Sequence, residues 1–351
     1  MKSLLLFVMF ASVVVCQAGG AVAAPSGRTP IETRSRDPYL GAIVVEAATG
    51  QVLFENNADA PGYPASVIKL MVLLLIQERI DNATLRLTDL VTVTAEAARM
   101  GGSQVYLKEH ETFPVEDLLY ALIIQSANDA AAALAIHVGG TRAGFVELMN
   151  RRAKELGMTA TEFHSVHGLP PSQGIRPDVS TARDLAILAR EILKHPACLT
   201  YTSTRERGFR NGTFGMRTHN HLLGSTEGCD GLKTGYFTAA GFSSIVTAQR
   251  GGRRVVVVLL GCPVREGRDN QARTLLANGF ANLPPEPPPV PTPAPDVAEV
   301  PAPAVMPTDA APAPEENTSG TGRRILRGVF MLAIAAGLLG LGIRIGRRRQ
   351  S

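Results

Sequence analysis

The chain has 351 residues, 45% hydrophobic, 19% charged and 5% aromatic, a balance that excludes a wholly disordered or collagen-like protein. Of its 24 prolines, 13 fall between Pro284 and Pro314, so the excess marks one linker and the rest has ordinary proline content. The formal charge of +4 is also uneven: seven arginines lie in the last 29 residues, residues 284–322 carry six acids and no base, and the near-neutral body gives no electrostatic reason for nucleic-acid binding.

At the N-terminus, Lys2, an apolar run over residues 4–15 and small residues up to Ala23 have the three-part layout of a secretory signal peptide, residues 1–23. Cys16 follows Val15, which is bulky where a lipidation signal needs a small residue. Cleavage leaves Cys198, Cys229 and Cys262, an odd number that allows at most one internal disulfide and does not choose the pair. No Cys-x-x-Cys or His/Cys cluster has zinc-ligand spacing, so no metal is expected.

Residues 24–283 are long enough for a large domain with a substantial core. Alternation over residues 41–46 and 51–55, with a glycine-bearing turn between, predicts a β-hairpin. Helical patterns follow over residues 66–78, 115–124, 128–138, 143–156 and 181–193, the last opened by the capping-box spacing of Thr181 and Asp184. A second hairpin is expected from residues 242–249, Gly251-Gly252 and residues 253–260. Strands at both ends with helices between point to an α+β layout, an antiparallel sheet backed by helices with a helical insertion. Beyond the body, the proline-rich residues 284–322 read as an extended tether. Residues 323–351 then carry an uncharged stretch, 328–343, flanked by arginines that can snorkel. This is expected to be a transmembrane anchor with a basic cytoplasmic end, an interfacial helix being the alternative.

Three short motifs carry candidate chemistry. In Ser66-Val67-Ile68-Lys69 the i, i+3 spacing sets Lys69 over Ser66 on one helix face, and burial among Ile68, Leu70 and Met71 would keep the amine neutral enough to act as a base. A serine and a lysine so spaced arise by chance about once in a chain this long, so the motif alone reads equally as a capped helix with an exposed lysine. Ser126-Ala127-Asn128 interrupts an apolar helical run, where two polar side chains must cap a helix or face a cleft. Lys233-Thr234-Gly235 falls on an expected strand, where the cation and hydroxyl suit a carboxylate and the glycine suits close approach of a substrate backbone; a solvated edge strand guarded by lysine is the plain alternative.

Together, in this order, the motifs match the SxxK, SxN and KTG set of penicillin-binding proteins and β-lactamases. The chain resembles the serine D-Ala-D-Ala carboxypeptidases, or low-molecular-mass penicillin-binding proteins, over about residues 39–280. The resemblance also rests on Val166-His167-Gly168-Leu169, Ser180-Thr181-Ala182-Arg183-Asp184 and Gly267-Arg268. It implies a β-lactamase/transpeptidase-like fold, a five-stranded antiparallel sheet flanked by helices joined to an all-helical lobe. Ser66 would be the nucleophile toward the bond between the two terminal D-alanines of a peptidoglycan stem peptide, and Lys69 its base. Ser126 would relay protons, Asn128 would bind the substrate backbone, Lys233 and Thr234 assisted by Arg268 would hold the terminal carboxylate, and Gly235 would let the substrate backbone lie against the strand. The oxyanion hole would be the N–H groups of Ser66 and Tyr236. The resemblance implies no cofactor, β-lactams as inhibitors, and a place in the bacterial envelope; it leaves the oligomeric state open.

Tyr236 stands where some members have histidine, and altered selectivity is expected from it. His167 is expected to be structural. A class A β-lactamase would need a glutamate in residues 167–180, where Asp178 is the sole acid, so slow deacylation and penicillin sensitivity are expected. A cross-link-cutting endopeptidase and a non-catalytic peptidoglycan-binding module are the rival readings; the second does not need both Ser66 and Lys69.

Overall fold

A computed structural model describes residues 38–170 and 176–285, and the expected signal peptide, most of the linker and the anchor lie outside them. The first hairpin is β1 (Gly41–Glu46) with β2 (Val52–Asn56). A single 3-10 turn (Ala65–Ile68) leads into α1 (Lys69–Asp81), so the continuous helix expected from Ser66 is wound more tightly at its start, where Ala65 is held at φ +50°. Residues 70–76 of α1 are all buried. Being apolar on every side, α1 serves as a central axis rather than a surface helix.

Around it the helical lobe is built from β3 (Leu90–Thr92), α2 (Ala95–Ala98), β4 (Thr112–Pro114), α3 (Val115–Tyr120), a wide π-type turn (Ala121–Gln125), α4 (Asn128–Gly139) and α5 (Arg142–Leu156). The helix expected over residues 115–124 thus forms but loosens in its last turn. Thr141 caps α5 by accepting from Gly144 N at 2.9 Å. Next come α6 (Ala182–Leu193), α7 (Ala197–Thr202) and a small hairpin of β5 (Glu206–Phe209) and β6 (Phe214–Arg217). Thr181 caps α6, accepting from Asp184 N at 3.1 Å, but the return half of the expected capping box is replaced: the Asp184 carboxylate accepts from Ala160 N and Thr161 Oγ1.

The chain then returns to the sheet with β7 (Cys229–Phe237), β8 (Gly241–Arg250), β9 (Arg253–Cys262) and finally α8 (Arg265–Ala281). The strand order is β2-β1-β9-β8-β7, antiparallel throughout. In β9, Val256, Val258 and Leu260 join Ile43 and Ile245 under α1 and α6, while Val255, Val257 and Leu259 join Val44 under Ala272 and Leu276 of α8. Helices cover both faces, which is why residues 255–260 are uniformly apolar instead of alternating. Helix α8 escapes the sequence patterns because its buried spacing, Ala272, Leu275, Leu276 and Gly279, is diluted by polar residues. Cys198, Cys229 and Cys262 are all free thiols. Among the described residues no helix is long and apolar enough to cross a membrane.

Leu73 is fully buried in α1. Leu73→Ala is expected to cost about 2–5 kcal/mol, read as a lowered urea midpoint with an unchanged slope.

Candidate active site

The junction between the two lobes brings the three motifs together. Lys69 is the first residue of α1, directly after the turn that carries Ser66, and its Nζ lies 2.9 Å from Ser66 Oγ. The amine is wholly buried and also contacts Asn128 Oδ1 at 2.7 Å and the His167 carbonyl at 2.9 Å. None of these acceptors is charged. Burial holds the Lys69 amine well below its ordinary range; the Lys233 charge adds to this, and the fields of Asp178 and Asp129 oppose it in part. A neutral amine donates to Asn128 and His167 and turns its lone pair to the Ser66 hydroxyl, which is the arrangement a base requires.

Ser126 ends the wide turn of residues 121–125 in the left-handed conformation, φ +59°, and receives a hydrogen bond from Lys233 Nζ at 3.0 Å. With Ala65 it is one of two non-glycine residues held in a costly conformation beside the chemistry. Asn128 opens α4; its Nδ2 donates to the Gly101 carbonyl at 2.7 Å, its backbone N–H to Ser103 at 2.7 Å. Asp129 accepts from Val105 N and Leu107 N, so residues 101–107 are pinned beside the second motif. Of the two alternatives from the sequence the structure takes the second: α4 has Ala127 at its N-cap with no side-chain cap, and Ser126 and Asn128 face the cleft.

The His167 segment contributes through its backbone. His167 Nδ1 accepts from Leu169 N at 3.1 Å, and burial, with the charges of Lys69 and Arg142, pushes the ring down to about 3, so it is neutral. The expectation that its side chain is structural fits this geometry; its carbonyl, which the sequence does not reveal, is what reaches Lys69. Asp178 fixes the segment: it accepts from His164 N, Ser165 N and Ser165 Oγ, while Ser165 Oγ accepts from Gly168 N. Gly168 has φ +74°, and a Cβ there would stand 2.1 Å from the Ala65 carbonyl oxygen, so glycine alone lets this segment lie on the nucleophile turn.

Strand β7 is the open edge of the sheet and supplies the third motif. Lys233 is buried, with Nζ also donating to the Thr234 carbonyl at 2.9 Å, and burial followed by the Arg268 charge pushes it down to about 7. A Cβ on Gly235 would come within 2.7 Å of the Pro64 carbonyl oxygen and 3.0 Å of Ser66 N. The glycine thus lets β7 pack against the nucleophile turn, in addition to the substrate approach expected from the sequence, and brings the strand bearing Tyr236 beside the Ser66 N–H. Thr234 and Arg268 line the same cleft of about 350 Å³ as Ser66, Ser126 and Asn128. Arg268 is buried and oriented by Asp269, to which Nε donates at 2.9 Å and Nη2 at 2.6 Å. His219, His221, Phe242 and Arg265 also line it and carry no motif; the pair of histidines two apart was a visible signal for the first two. No Asp or Glu lines this cleft among the described residues.

Residues 37–263 match the sequence family described as D-alanyl-D-alanine carboxypeptidase. The chain is 33% identical over 290 residues to D-alanyl-D-alanine carboxypeptidase DacF of Bacillus subtilis (strain 168), a match over 82% of this chain and 73% of that protein. It is 37% identical over 246 residues to the DacC carboxypeptidase of Escherichia coli (strain K12), covering 68% of this chain and 60% of that one. Among solved structures it resembles penicillin-binding protein D2 of Listeria monocytogenes in its ampicillin-bound form, with TM-score 0.63 and 36% identity over 69% of this chain and 97% of that chain.

Two outcomes follow from the geometry. In kcat/KM against pH, activity falls in acid as Lys69 gains a proton and falls in alkali, from about pH 7, as Lys233 loses its own. Arg268→Gln removes a neighbouring positive charge, so the alkaline limb is expected to move to higher pH even as KM rises. Gly168→Ala is expected to slow acylation by on the order of a hundredfold, since it displaces the nucleophile turn; stopped-flow acylation by a fluorescent penicillin measures it.

Proposed function

The chain belongs to the D-alanyl-D-alanine carboxypeptidase family, and on that premise we propose that it removes the terminal D-alanine from peptidoglycan stem pentapeptides through an acyl-enzyme on Ser66. The observation that carries this reading is the Lys69 amine, fully buried, 2.9 Å from Ser66 Oγ and surrounded by uncharged acceptors. As Ser66 Oγ attacks the carbonyl of the penultimate residue, its proton passes to Lys69 Nζ and the carbonyl oxygen becomes an oxyanion facing the N–H groups of Ser66 and Tyr236. The peptide C–N bond then breaks, and the leaving D-alanine amine takes a proton through Ser126, which Lys233 holds in place. Lys233, Thr234 and Arg268 hold the departing carboxylate, and the Asn128 amide, oriented by Lys69 and Gly101, binds the substrate backbone. Water adds to the acyl-enzyme by the same proton route in reverse and releases the shortened peptide with Ser66 restored.

The absence of an acid from the cleft lining among the described residues separates this from a class A β-lactamase. The Asp178 carboxylate, the acid in the corresponding segment, accepts three hydrogen bonds from residues 164 and 165 and is occupied in holding the backbone. Among the described residues a penicilloyl group on Ser66 therefore has no carboxylate in the cleft lining to activate water, which accounts for penicillin sensitivity.

Family membership agrees with action on the bacterial cell wall. Export through residues 1–23 and tethering through residues 323–351 belong to this proposal and rest on the sequence.

The decisive experiment incubates the full-length chain and its Ser66→Ala variant with purified pentapeptide muropeptides, cross-linked dimers and penicillin, followed by mass analysis. Loss of one D-alanine from the pentapeptide and a persistent penicilloyl adduct, both confined to the chain with Ser66, are expected. Cleavage of dimers alone would replace the reading with an endopeptidase, and no reaction at all would leave a binding module.

A further inference from the structure

One group of side chains in the cleft has no part in the mechanism above. Tyr236, half exposed, stacks on Phe242 with ring centroids 4.1 Å apart and planes at 20°, and the Arg265 guanidinium stands 5.8 Å from the Phe242 centroid. All three line the cleft that holds Ser66. Arg265 is exposed, and no carboxylate among the described residues pairs with it. Its neighbour Arg268, one helical turn further along α8, is by contrast buried and locked by Asp269.

The spacing of these groups matches an extended peptide. Thr234 and Tyr236 are two apart on β7 and share one face, about 6.7 Å from each other along the strand. Arg268 and Arg265 are three apart on α8, about 4.5 Å along its axis. A substrate lying antiparallel on the open edge of β7 with its terminal carboxylate at Thr234 and Arg268 sets the residue two positions back, the third of the pentapeptide, beside Tyr236 and Arg265. Among the described residues the cleft there is lined by cations and aromatic faces and by no acid. A third residue ending in a bare ammonium meets like charge, whereas one bearing a free carboxylate meets an unpaired guanidinium over an aromatic shelf.

We propose that Arg265, carried over the Tyr236–Phe242 stack, is a specificity residue that reads a free carboxylate on the side chain of the third stem-peptide residue. The inference rests on the carboxypeptidase reading and names the substrate class within it.

The test measures D-alanine release by the full-length chain from three synthetic pentapeptides that differ at the third residue: diaminopimelate, diaminopimelate amidated on its side-chain carboxylate, and lysine. Wild-type kcat/KM is expected to favour the free carboxylate about fivefold, mostly through KM, the size typical of an exposed charge pair. Arg265→Gln is expected to bring the three substrates to within twofold of one another, Arg265→Lys to retain part of the preference, and 1 M salt to erase it. Acylation by a fluorescent penicillin, which has no third residue, reports whether each variant is folded. Equal turnover of the three peptides by the wild type, or a preference unchanged in Arg265→Gln that still acylates, overturns the shelf and leaves the carboxypeptidase reading standing. Release from none of the three overturns the carboxypeptidase reading and the shelf with it.

Discussion

A lysine ammonium stripped of water, without a carboxylate to meet it, is the constraint on which this molecule is organised. Lys69 has no solvent exposure, and the three groups within its reach are a hydroxyl, a side-chain amide and a backbone carbonyl. Such an environment charges heavily for the protonated form, so the amine is kept as a base, and the enclosure has to be drawn from several distant parts of the chain at once. Helix α1 supplies the lysine and the turn before it the serine; the second motif supplies Asn128, and the segment held by Asp178 supplies the carbonyl of His167.

Backbone contacts that only small residues permit hold these pieces at close range. Gly168 lies against the Ala65 carbonyl and Gly235 against Pro64 and Ser66, so the nucleophile turn is gripped from two sides by main chain instead of by side chains. Ala65 and Ser126 remain in left-handed conformations that would relax in a free peptide, and the packing of α1, β7 and the residue 101–107 segment keeps them there. The hydrophobic core is therefore more than a source of stability: the buried apolar run of α1, residues 70–76, fixes the place from which the Ser66 and Lys69 motif meets the other two.

A second electrostatic feature runs through the cleft. Burial disfavours the charge on both lysines, the Arg268 charge adds to this at Lys233 and the Lys233 charge adds to it at Lys69, and of the three only Arg268 has a hydrogen-bonded acid of its own, Asp269. An incoming carboxylate supplies the missing negative charge. The free site thus keeps Lys69 as a base and Lys233 pushed down to about 7, and substrate binding completes the charge balance where the reaction needs it.

The sequence by itself determined the family, the α+β class, both sheet hairpins and the three motif clusters, because each is encoded locally: the i, i+3 spacing of Ser66 and Lys69, the Gly251-Gly252 turn between the runs that become β8 and β9, and a run of motifs in a set order. It also read Thr181 as the cap of α6, where a hydroxyl meets a backbone N–H three residues on. The tertiary structure alone decided that Lys69 is sealed from water and that His167 acts through its carbonyl while its ring caps Leu169. It also decided that Gly235 and Gly168 are needed for main-chain contact, and that Arg265 is left unpaired over an aromatic stack. The reason is physical: burial, charge balance and close approach are made between residues separated by tens to more than a hundred positions, and no local pattern along the chain records which of them will meet.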